Sequence, residues 1–473
     1  MTSPRHFVSR SAPLLLGVAF VLGGCVTPPK TEPQLQTIAE QSVGLGTAGS
    51  PVVAERWWEQ YGDPQFDQLV TAALERNPSL QQTLARLRAA QSQVQLATAQ
   101  REPGVTLNGQ EQRSRLPEEY LIPPPFGGGT YWSGQVLANL SWDLDFFGRQ
   151  AALIEQARAT EEAVRLDAAA ARLATTVALS QTYLDLNRAI ALADIAQQSL
   201  LQRKRILDIT RKRIGAGLDT NVELREAESA VPQAELARLQ AEAAREVAVH
   251  RLAALIGEGA GAYERIGKPA LNLETALSIP SELPADLLGR RPDILAARSR
   301  VAAATSQRAA AHAAFYPNIN LSAFAGFQAI GLSNLFEASN RTYGAGPAIS
   351  LPLFDSQRLK SQFNAATALQ DEAVSAYNDV VLSAVQQVAD HLSQVNYSAR
   401  QLQQARATLD AAEEAYRLAQ KRYEAGLANY LSVLTTETQV LNARTTFVDI
   451  LHQQALARVS LLLAVGGNYN AAS

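Results

Sequence analysis

Two long stretches of the chain have the apolar pattern of helices that pack against other helices. Residues 146–213 contain no Pro and a single Gly, Gly148, and residues 354–423 contain neither. At roughly 1.5 Å per residue, an unbroken helix over either stretch would be about 100 Å long. In the second stretch, large apolar residues recur every seven positions with alanines between them, which predicts left-handed coiled packing. These residues are Leu402, Leu409, Tyr416 and Tyr423, with Ala405, Ala412 and Ala419 between them.

Four shorter segments alternate apolar and polar residues, which predicts β-strands. In the second segment, Val136, Ala138 and Leu140 fall on one face, opposite the polar Asn139 and Ser141. Each segment has roughly 9–12 residues, the length that a tilted strand needs to cross a membrane. A small water-soluble hairpin in each half of the chain is the alternative interpretation. The segments are residues 105–113, 131–142, 318–327 and 342–351.

The chain repeats its own pattern after about 209 positions. Lys212–Leu218 (KRIGAGL) returns as Lys421–Leu427 (KRYEAGL), and a second helix is then expected to run back to Gly257 or Gly466. A duplicated unit of about 200 residues is far longer than the repeats of solenoids and propellers. The sequence therefore predicts one structure with two similar halves, each with a helix, a β-hairpin and a long helical hairpin.

The N-terminus predicts a lipid anchor. Arg5 and Arg10 precede an apolar core over residues 12–22, which is too short to span a bilayer, and the only Cys of the chain, Cys25, follows that core. This resembles the lipobox of bacterial lipoproteins, which implies cleavage before Cys25 and acylation of its sulfur and its amine. Because Val26 rather than Asp comes next, sorting to the outer membrane is expected. An ordinary signal peptide with a coincidental Cys is the alternative.

The expected organisation of the chain follows from these signals. Asp63 and Pro64 predict the start of the first helix, as N-cap and first helical residue, and this helix is expected to end near Arg101. A stretch broken by Gly and Pro separates the two halves. The predicted parts are a lipoprotein signal peptide over 1–24, a lipidated extended segment over 25–62, a first repeat over 63–257, a connector over 258–284, a second repeat over 285–466 and a tail over 467–473.

Composition argues against several classes of function. The one Cys excludes a disulfide framework, and with a single Met it leaves almost nothing for thiolate or thioether metal sites. The five His are scattered without ligand spacing, and the sequence has no nucleophile elbow or phosphate-binding loop. The net charge of -3 does not indicate a nucleic-acid partner. We therefore expect no cofactor, no bound metal and no enzymatic activity.

Four strands in one chain cannot close a sheet that crosses a membrane. Unpaired backbone groups in hydrocarbon cost several kcal/mol each, so membrane-spanning sheets close into barrels. Two copies of the chain would give eight strands, whose side chains fill the interior, whereas three copies give twelve, the smallest multiple of four expected to leave an open bore. The sequence therefore predicts an oligomeric β-barrel, continued by a tube of the long helices.

Several short motifs occur along the chain in a characteristic order. They are Trp57-Trp58, Tyr61-Gly62-Asp63-Pro64, Asn77-Pro78, Trp142 to Gly148 (WDLDFFG), Arg290 to Ile294 (RRPDI), Ala314 to Pro317 (AFYP), and the turns Ala216-Gly217-Leu218 and Ala425-Gly426-Leu427. With them the whole mature chain resembles the TolC-type outer-membrane efflux channel family, in its NodT-type lipoprotein branch. The resemblance implies a mainly α fold with a β-barrel part: a homotrimer with a twelve-stranded β-barrel in the outer membrane of a Gram-negative bacterium and a long α-helical barrel in the periplasm.

The resemblance also implies a function and two protein partners. The expected function is the exit channel of a tripartite efflux system, which passes small organic toxicants or drugs to the exterior. The partners are a periplasmic adaptor and an inner-membrane pump, either of the resistance-nodulation-division class or a major-facilitator or aromatic-acid exporter. A structural coiled-coil lipoprotein of the periplasm without channel activity is the alternative. The absence of Met and free Cys from the mature chain argues against a dedicated copper or silver exporter.

The resemblance places a gate at the periplasmic end of the long helices. By position, Tyr423 matches a gate tyrosine, Glu223 an acid that such a tyrosine can hydrogen-bond, and Leu431 a leucine of the ring that occludes the pore. Heptad packing for Tyr423 and a solvated helix face for Glu223 are the alternatives. Related channels have acids where this chain has Ser432 and Thr435, so the resemblance does not extend to an acidic ring there. Adaptor docking is expected at the helical-tip turns, at Gly217, Leu218, Gly426 and Leu427.

Basic residues cluster just before the first of these turns. They occupy positions 203–205 and 211–213, where cations also favour the C-terminus of a helix. Two interpretations remain open from the sequence: a solvated helix face, or a contact with the adaptor.

Overall fold

The structure is a computed structural model of the chain. It describes residues 27–39, 43, 54, 56–118, 127–273, 289, 291–352 and 354–467. The predicted signal peptide, Cys25, the connector from residue 274 onward and the tail beyond residue 467 lie outside the described residues.

In both halves of the chain the described residues form a helix, two strands and two long helices in that order, which confirms the predicted duplication; the first half has one further helix, Pro64–Arg76, before them. The first half contains α1 (Pro64–Arg76), α2 (Pro78–Ala99), β1 (Gly104–Arg115), β2 (Thr130–Asp143), α3 (Arg149–Gly215) and α4 (Asn221–Leu255). The second half contains α5 (Pro292–Ala313), β3 (Asn318–Ile330), β4 (Arg341–Ser350), α6 (Ser356–Glu424) and α7 (Tyr430–Ala464). Short 3-10 helices lie at Trp57–Tyr61, Ala260–Arg265 and Ala338–Asn340.

The single helix predicted over residues 63–101 is two helices, because the chain leaves the helical conformation at Asn77. Pro78 follows, and a Pro disfavours helical backbone in the residue before it. Asn77 accordingly has φ -58° and ψ 122°. The Asn77 side chain makes two hydrogen bonds to backbone groups. Its Oδ1 accepts from the Leu80 N–H in the first turn of α2 at 3.1 Å, and its Nδ2 donates to the Leu255 carbonyl at the end of α4 at 2.8 Å. The Asn-Pro motif is therefore a structural break between helices.

The described residues form two compact units, the first made of those within 1–37, 88–163 and 297–377, the second of those within 38–87, 164–296 and 378–473. The first unit contains a four-stranded antiparallel sheet in the order β1-β2-β3-β4. Because β2 pairs with β3, the hairpins of the two halves form one sheet, and the alternative of a separate hairpin in each half is wrong.

The strand register sorts the side chains of this sheet into an apolar and a polar face. One row on the apolar face is Val105, Leu140, Ala323 and Ala345, one residue from each strand. One row on the polar face is Gln110, Gln135 and Gln328. In hydrocarbon the outer edges of β1 and β4 need partner strands, so a sheet of this kind crosses a membrane only within a larger closed barrel.

The aromatic motif before α1 anchors the core of the second unit. Trp57, Tyr61 and Phe66 are buried, and the Phe66 ring stacks on Tyr183 with ring centroids 4.8 Å apart. The Tyr183 hydroxyl donates at 2.7 Å to Asp63, whose carboxylate also caps the first turn of α1. A buried carboxylate requires such partners because its desolvation is costly without them. Asp63 is therefore the predicted N-cap and, in addition, a buried hydrogen-bond centre.

The N-terminal segment 27–39 contains neither helix nor strand and is held by side chains of α6. Three acceptors on α6 are spaced seven residues apart, a rise of roughly 10.5 Å, which three or four residues of extended chain also cover. The hydrogen bonds run from Thr31 Oγ1 to Asn364 Oδ1 (2.9 Å), from the Gln34 and Leu35 N–H groups to Asp371 Oδ1 (2.9 and 3.0 Å), and from the Ile38 N–H to Asn378 Oδ1 (2.8 Å).

No described helix contains a segment that is both apolar enough and long enough to cross a bilayer. Within the same described ranges, His, Cys, Asp and Glu side chains form no group that could hold a metal ion.

Candidate functional site

The helical hairpins α3–α4 and α6–α7 end in turns of the same geometry. Gly217 and Gly426 have φ values of 71° and 77°, the left-handed conformation that glycine adopts without steric cost. The N–H of Leu218 bonds to the Arg213 carbonyl at 2.9 Å, and the N–H of Leu427 bonds to the Arg422 carbonyl at 2.8 Å. These are the backbone bonds of a Schellman motif, which satisfies carbonyls at a helix C-terminus. Both leucines remain exposed, at 61% and 71%.

Glu223 belongs to the N-terminal cap of α4. Its Oε2 accepts the Thr220 N–H at 2.9 Å and also the Thr220 hydroxyl, while Thr220 Oγ1 accepts the Val222 N–H at 3.2 Å. This is a capping box, and the hydrogen bond from Thr220 lowers the pKa of Glu223. Within the folded chain Glu223 bonds to Thr220 rather than to Tyr423, because a local helix cap uses this carboxylate. The gate role expected of Glu223 stays a prediction.

Tyr423 instead bonds to Asp219, which lies in the turn between α3 and α4. The Tyr423 side chain is buried, at 1% exposed, and its hydroxyl donates to Asp219 Oδ2 at 2.7 Å. Thr210 Oγ1 lies 3.0 Å from the same hydroxyl, and the ring of Tyr430 packs edge-on at a centroid distance of 6.3 Å. Burial raises the pKa of the Tyr423 phenol, which keeps it protonated as a donor.

Arg213 completes this cluster. Its guanidinium binds both oxygens of Asp219, with Nε 2.8 Å from Oδ2 and Nη2 3.0 Å from Oδ1. The third nitrogen, Nη1, donates to the Tyr423 carbonyl at 2.9 Å, and the guanidinium carbon lies 4.4 Å from the centroid of the Tyr423 ring. The hydrogen bonds from Arg213 hold the pKa of Asp219 below its usual range, so the carboxylate is ionised at neutral pH. We call the cluster of Arg213, Asp219 and Tyr423 the latch.

A second buried ion pair joins α3 and α7. Arg203 Nε lies 3.3 Å from Glu437 Oε1, and Arg203 Nη1 donates to the Ala230 carbonyl of α4 at 3.1 Å. The Glu437 side chain is only 2% exposed, and burial raises its pKa against the opposing effect of Arg203. Burial also raises the pKa of Tyr416 and of Tyr430, each to about 12.

Two members of the basic cluster are thus neither solvated nor free for an adaptor. Arg203 and Arg213 form ion pairs with buried acids, Glu437 and Asp219. Lys212 is instead exposed and pairs with Asp208 one turn away. The sequence interpretation missed Asp219 and Glu437. A signal existed for Glu437, whose charge lies among apolar residues of α7, but nothing in the sequence distinguished Asp219 from Glu223 as the tyrosine's partner.

Leu431 lies in the first turn of α7 and is 61% exposed. Beside it, the Ser432 N–H is capped by Asn429 Oδ1 at 3.1 Å, and the Thr435 hydroxyl donates to the Leu431 carbonyl at 2.8 Å. At the two positions where related channels have acids, the Thr435 hydroxyl is thus bonded to a backbone carbonyl, whereas Ser432 takes part in the helix cap through its backbone N–H. The ring role of Leu431 stays a prediction.

Comparisons with known proteins agree with this fold. The sequence model of the family described as outer membrane efflux protein matches residues 69–258 and 283–467, one match in each half. The fusaric acid resistance protein FusA of Burkholderia cepacia is 35% identical over 365 residues, covering 75% of this chain and 68% of that protein. Outer membrane protein OprJ of Pseudomonas aeruginosa is 31% identical over 460 residues, covering 96% of this chain and 95% of that protein.

A solved structure supports the same assignment. The outer membrane protein VceC from Vibrio cholerae superimposes with a TM-score of 0.83 at 32% identity, covering 88% of this chain and 100% of that chain. The resemblance to TolC-type channels inferred from the motifs is thereby confirmed, as is the mainly α fold with a β part. By sequence and by fold, the chain belongs to the outer membrane efflux protein family.

Proposed function

We propose that this protein is the outer-membrane exit channel of a tripartite efflux system and passes small organic compounds from the periplasm to the exterior. One observation carries the proposal: both halves match the outer membrane efflux protein family, and their strands join in a single sheet with one apolar face. The name of the fusaric acid resistance relative favours organic cargo. Transport rather than catalysis is the expected activity.

The channel is a homotrimer in the outer membrane and extends into the periplasm. Three copies of the four-stranded sheet supply twelve strands, which pairs every exposed edge and leaves an open bore. A periplasmic adaptor and an inner-membrane pump complete the system. The pump is of the resistance-nodulation-division class or a major-facilitator or aromatic-acid exporter, and both remain candidates.

The latch supports a gate that is closed at rest. Asp219 is fixed by Arg213 from one side and by Tyr423 from the other, so α3, the turn before α4 and the end of α6 are held together. Opening of the helical tips would have to separate these charged and polar groups, which restrains the motion. Leu431, exposed in the adjacent first turn of α7, would add the apolar ring that narrows the pore. Glu223 acts in this proposal only by capping α4.

The two turns are the proposed contact with the adaptor. Gly217 and Gly426 direct the chain so that Leu218 and Leu427 are exposed at equivalent positions in the two halves. In a trimer these leucines would form six similar apolar contacts, which suits a partner that presents a repeated apolar surface. The double variant Leu218→Ala with Leu427→Ala truncates both side chains. It should abolish efflux in cells without changing assembly of the trimer.

Cys25 is the proposed lipid attachment site, and its support is the sequence alone. Metabolic labelling with palmitate tests it directly: the native chain should incorporate the label, and Cys25→Ser should not. The described segment 27–39, tied to α6 by three acceptors, would then connect the acylated residue to the helical part of the channel.

Purified protein distinguishes a channel from a structural lipoprotein. A channel should migrate as a heat-sensitive trimer in detergent and should conduct ions in planar lipid bilayers. A monomer that never conducts would refute the proposal and favour the periplasmic spacer.

A further inference from the structure

The apolar face of the sheet has the features of a wall that faces lipid. Between its ends it carries mainly aliphatic residues, Ala and Gly, together with Phe327 and Pro347, and aromatic rings lie near both ends, as in the girdles of outer-membrane barrels. The charged residues of this face lie toward the end of the sheet where β1 finishes and β4 begins; they are Glu111, Arg113, Arg115 and Arg341. Near one end the indole of Trp142 donates to the Arg101 carbonyl at 3.1 Å. Toward the other end Trp132 lies under the guanidinium of Arg113 at 5.7 Å, and Tyr343 is exposed.

The opposite face is polar and almost uncharged. Across the four strands, all of which are described, its only ionisable acid or base other than a tyrosine is Asp143, at the end of β2. The rest of the polar surface is amide and hydroxyl, joined across strands by bonds such as Gln135 Nε2 to Gln110 Oε1 at 3.0 Å. Such a wall exerts little Coulomb force on a passing solute, because no acid or base other than Asp143, at the end of β2, and a tyrosine lies on it.

One phenyl ring, that of Phe324, lies near the middle of β3 on this polar face. Its cross-strand partner is Gly344, and a Cβ added at Gly344 would lie 2.8 Å from Phe324 Cε1 and 3.0 Å from Cζ. The ring therefore covers the glycine and lies against the wall of the sheet. The side chain is still 41% exposed, so one side of the ring is open to solvent. Leu137, also on this face, is aliphatic and pairs with Gly326.

We propose that the polar face lines the bore through the membrane and that Phe324 is its contact for aromatic solutes. This rests on the proposed channel function and specifies its cargo by chemistry. Three phenyl rings, one from each protomer, present their faces to the bore, where aromatic compounds stack or pack edge-on and aromatic cations gain a further attraction. The uncharged wall admits these compounds as neutral molecules or as ions of either sign.

Thiol labelling tests the assignment of the two faces. The chain has no Cys other than Cys25, so a single introduced Cys is the only new thiol. Ser322→Cys places it on the polar face and the neighbouring Ala323→Cys places it on the apolar face, as a matched pair. Cationic and anionic methanethiosulfonates added to intact cells should both label Ser322→Cys, at rates within about threefold of each other after correction for intrinsic reactivity. Ala323→Cys should stay unlabelled.

Equal labelling of both positions would overturn the proposal, as would a large preference for one charge at Ser322→Cys. The native protein, which lacks the introduced thiol, sets the background. Asn139→Asp adds a negative charge beside the ring. Combined with Ser322→Cys, it should make the cationic reagent label faster than the anionic one, which checks that the assay detects charge on the wall. Asn139 is the residue opposite Phe324 on β2.

Single-channel recordings test the contact itself. Rhodamine 6G, an aromatic cation, is added to bilayers that contain the native trimer or a variant, and the duration of its current blocks is measured. Phe324→Ala should shorten the blocks by about two- to tenfold, the range expected for loss of an aromatic pair. Phe324→Tyr should preserve them, and Leu137→Ala should leave them unchanged because it removes an aliphatic group from the same face.

Conducting Phe324→Ala trimers with native block durations would refute the contact and leave the channel function intact. Equal shortening by Leu137→Ala would also refute it, because the effect would then be general to the wall. Failure of the native protein to conduct would refute the proposed function, and this proposal with it.

Discussion

The hydroxyl of Tyr423, near the end of α6, donates a 2.7 Å hydrogen bond to Asp219, in the turn that follows α3. The bond joins the two halves of the duplicated chain where each helical hairpin reverses direction. Because the donor is buried and the acceptor is ionised, the bond belongs to the stronger class, worth about 1.5–3 kcal/mol.

The first prediction is that Tyr423→Phe opens the gate. The ring still packs on Tyr430 and Arg213, but the hydrogen bond to Asp219 is lost. A closed state weakened by about 1.5 kcal/mol or more shifts the open population roughly tenfold. Open probability in planar bilayers and uptake of large antibiotics by cells measure the effect. Tyr397→Phe, at an exposed position of α6, is the control and should behave as the native protein; no change in either assay for Tyr423→Phe would exclude this latch.

The second prediction concerns pH. Arg213 lowers the pKa of Asp219, so the stabilisation from this carboxylate is fully present above its ordinary pKa and disappears only as the pH falls through the lowered value. Acidification from pH 7 to about pH 5 therefore leaves the latch closed. Conductance recorded at both pH values should be equal within error, whereas in Arg213→Met it should already be raised at pH 7. A native channel that opens between these pH values would show that another group controls the gate.

A third prediction follows from the buried pair of Arg203 and Glu437. Arg203→Met leaves an uncompensated carboxylate in the interior, which typically costs about 3–5 kcal/mol at neutral pH. Burial already raises the pKa of Glu437, and loss of Arg203 raises it further. A raised carboxyl pKa means that stability is greatest below the ordinary pKa and is lost as the pH rises through the folded-state value. The variant should therefore regain stability on acidification toward pH 5.

Thermal dissociation of the trimer in detergent, recorded at pH 7 and near pH 5, measures the stability of Arg203→Met. The double variant Arg203→Met with Glu437→Leu is the control, since it removes both charges and should recover most of the loss at neutral pH. If the single variant melts at the native temperature at pH 7, the ion pair has no structural role. If the single variant loses the same stability at every pH, Glu437 is not the group that causes the loss.

Much of the fold could be predicted because it depends on local signals. The long helices follow from tens of residues without Pro, and the strands from an alternation that survives at almost every position between Val136 and Ser141. The tight turns could be placed because Gly217 and Gly426 each follow an Ala in a repeated motif. The break at Asn77 was not predicted, although Pro78 is a local signal for it, because the apolar pattern continues through the break.

The candidate site was harder to predict because its contacts are long-range. Tyr423 and Asp219 are 204 positions apart, and no periodicity reveals which of two nearby acids a distant tyrosine will reach. Position within the family indicates Glu223, yet the Thr220-x-x-Glu223 spacing is itself the sequence of a capping box. A local role for Glu223 could therefore have been recognised, whereas the pairing of Arg203 with Glu437 could not.

A fourth prediction isolates the conformational requirement of the turns. Gly217→Ala places a Cβ on a residue with φ 71°, where no neighbour lies within 4 Å, so its cost of about 1–2 kcal/mol comes from the backbone alone. Gly215→Ala, two residues earlier at the end of α3 and without positive φ, is the matched control and should be neutral or slightly stabilising. Chemical denaturation of the two variants separates these outcomes. Equal stability would mean that the turn tolerates another conformation.

The last prediction concerns the N-terminal segment. Asp371 Oδ1 accepts the N–H groups of both Gln34 and Leu35 and is the central acceptor of the three on α6, so Asp371→Ala should free this part of the segment. Backbone bonds to a charged acceptor contribute about 1.5–3 kcal/mol each, so the fraction of detached segment should rise at least tenfold. Limited trypsin digestion after Lys30, followed by mass spectrometry of intact trimers, measures detachment. Asp410→Ala, which removes an exposed carboxylate paired with Arg406 one turn away on the same helix, is the control and should digest at the native rate. If both variants are cut at that rate, side chains other than Asp371 hold the segment on α6.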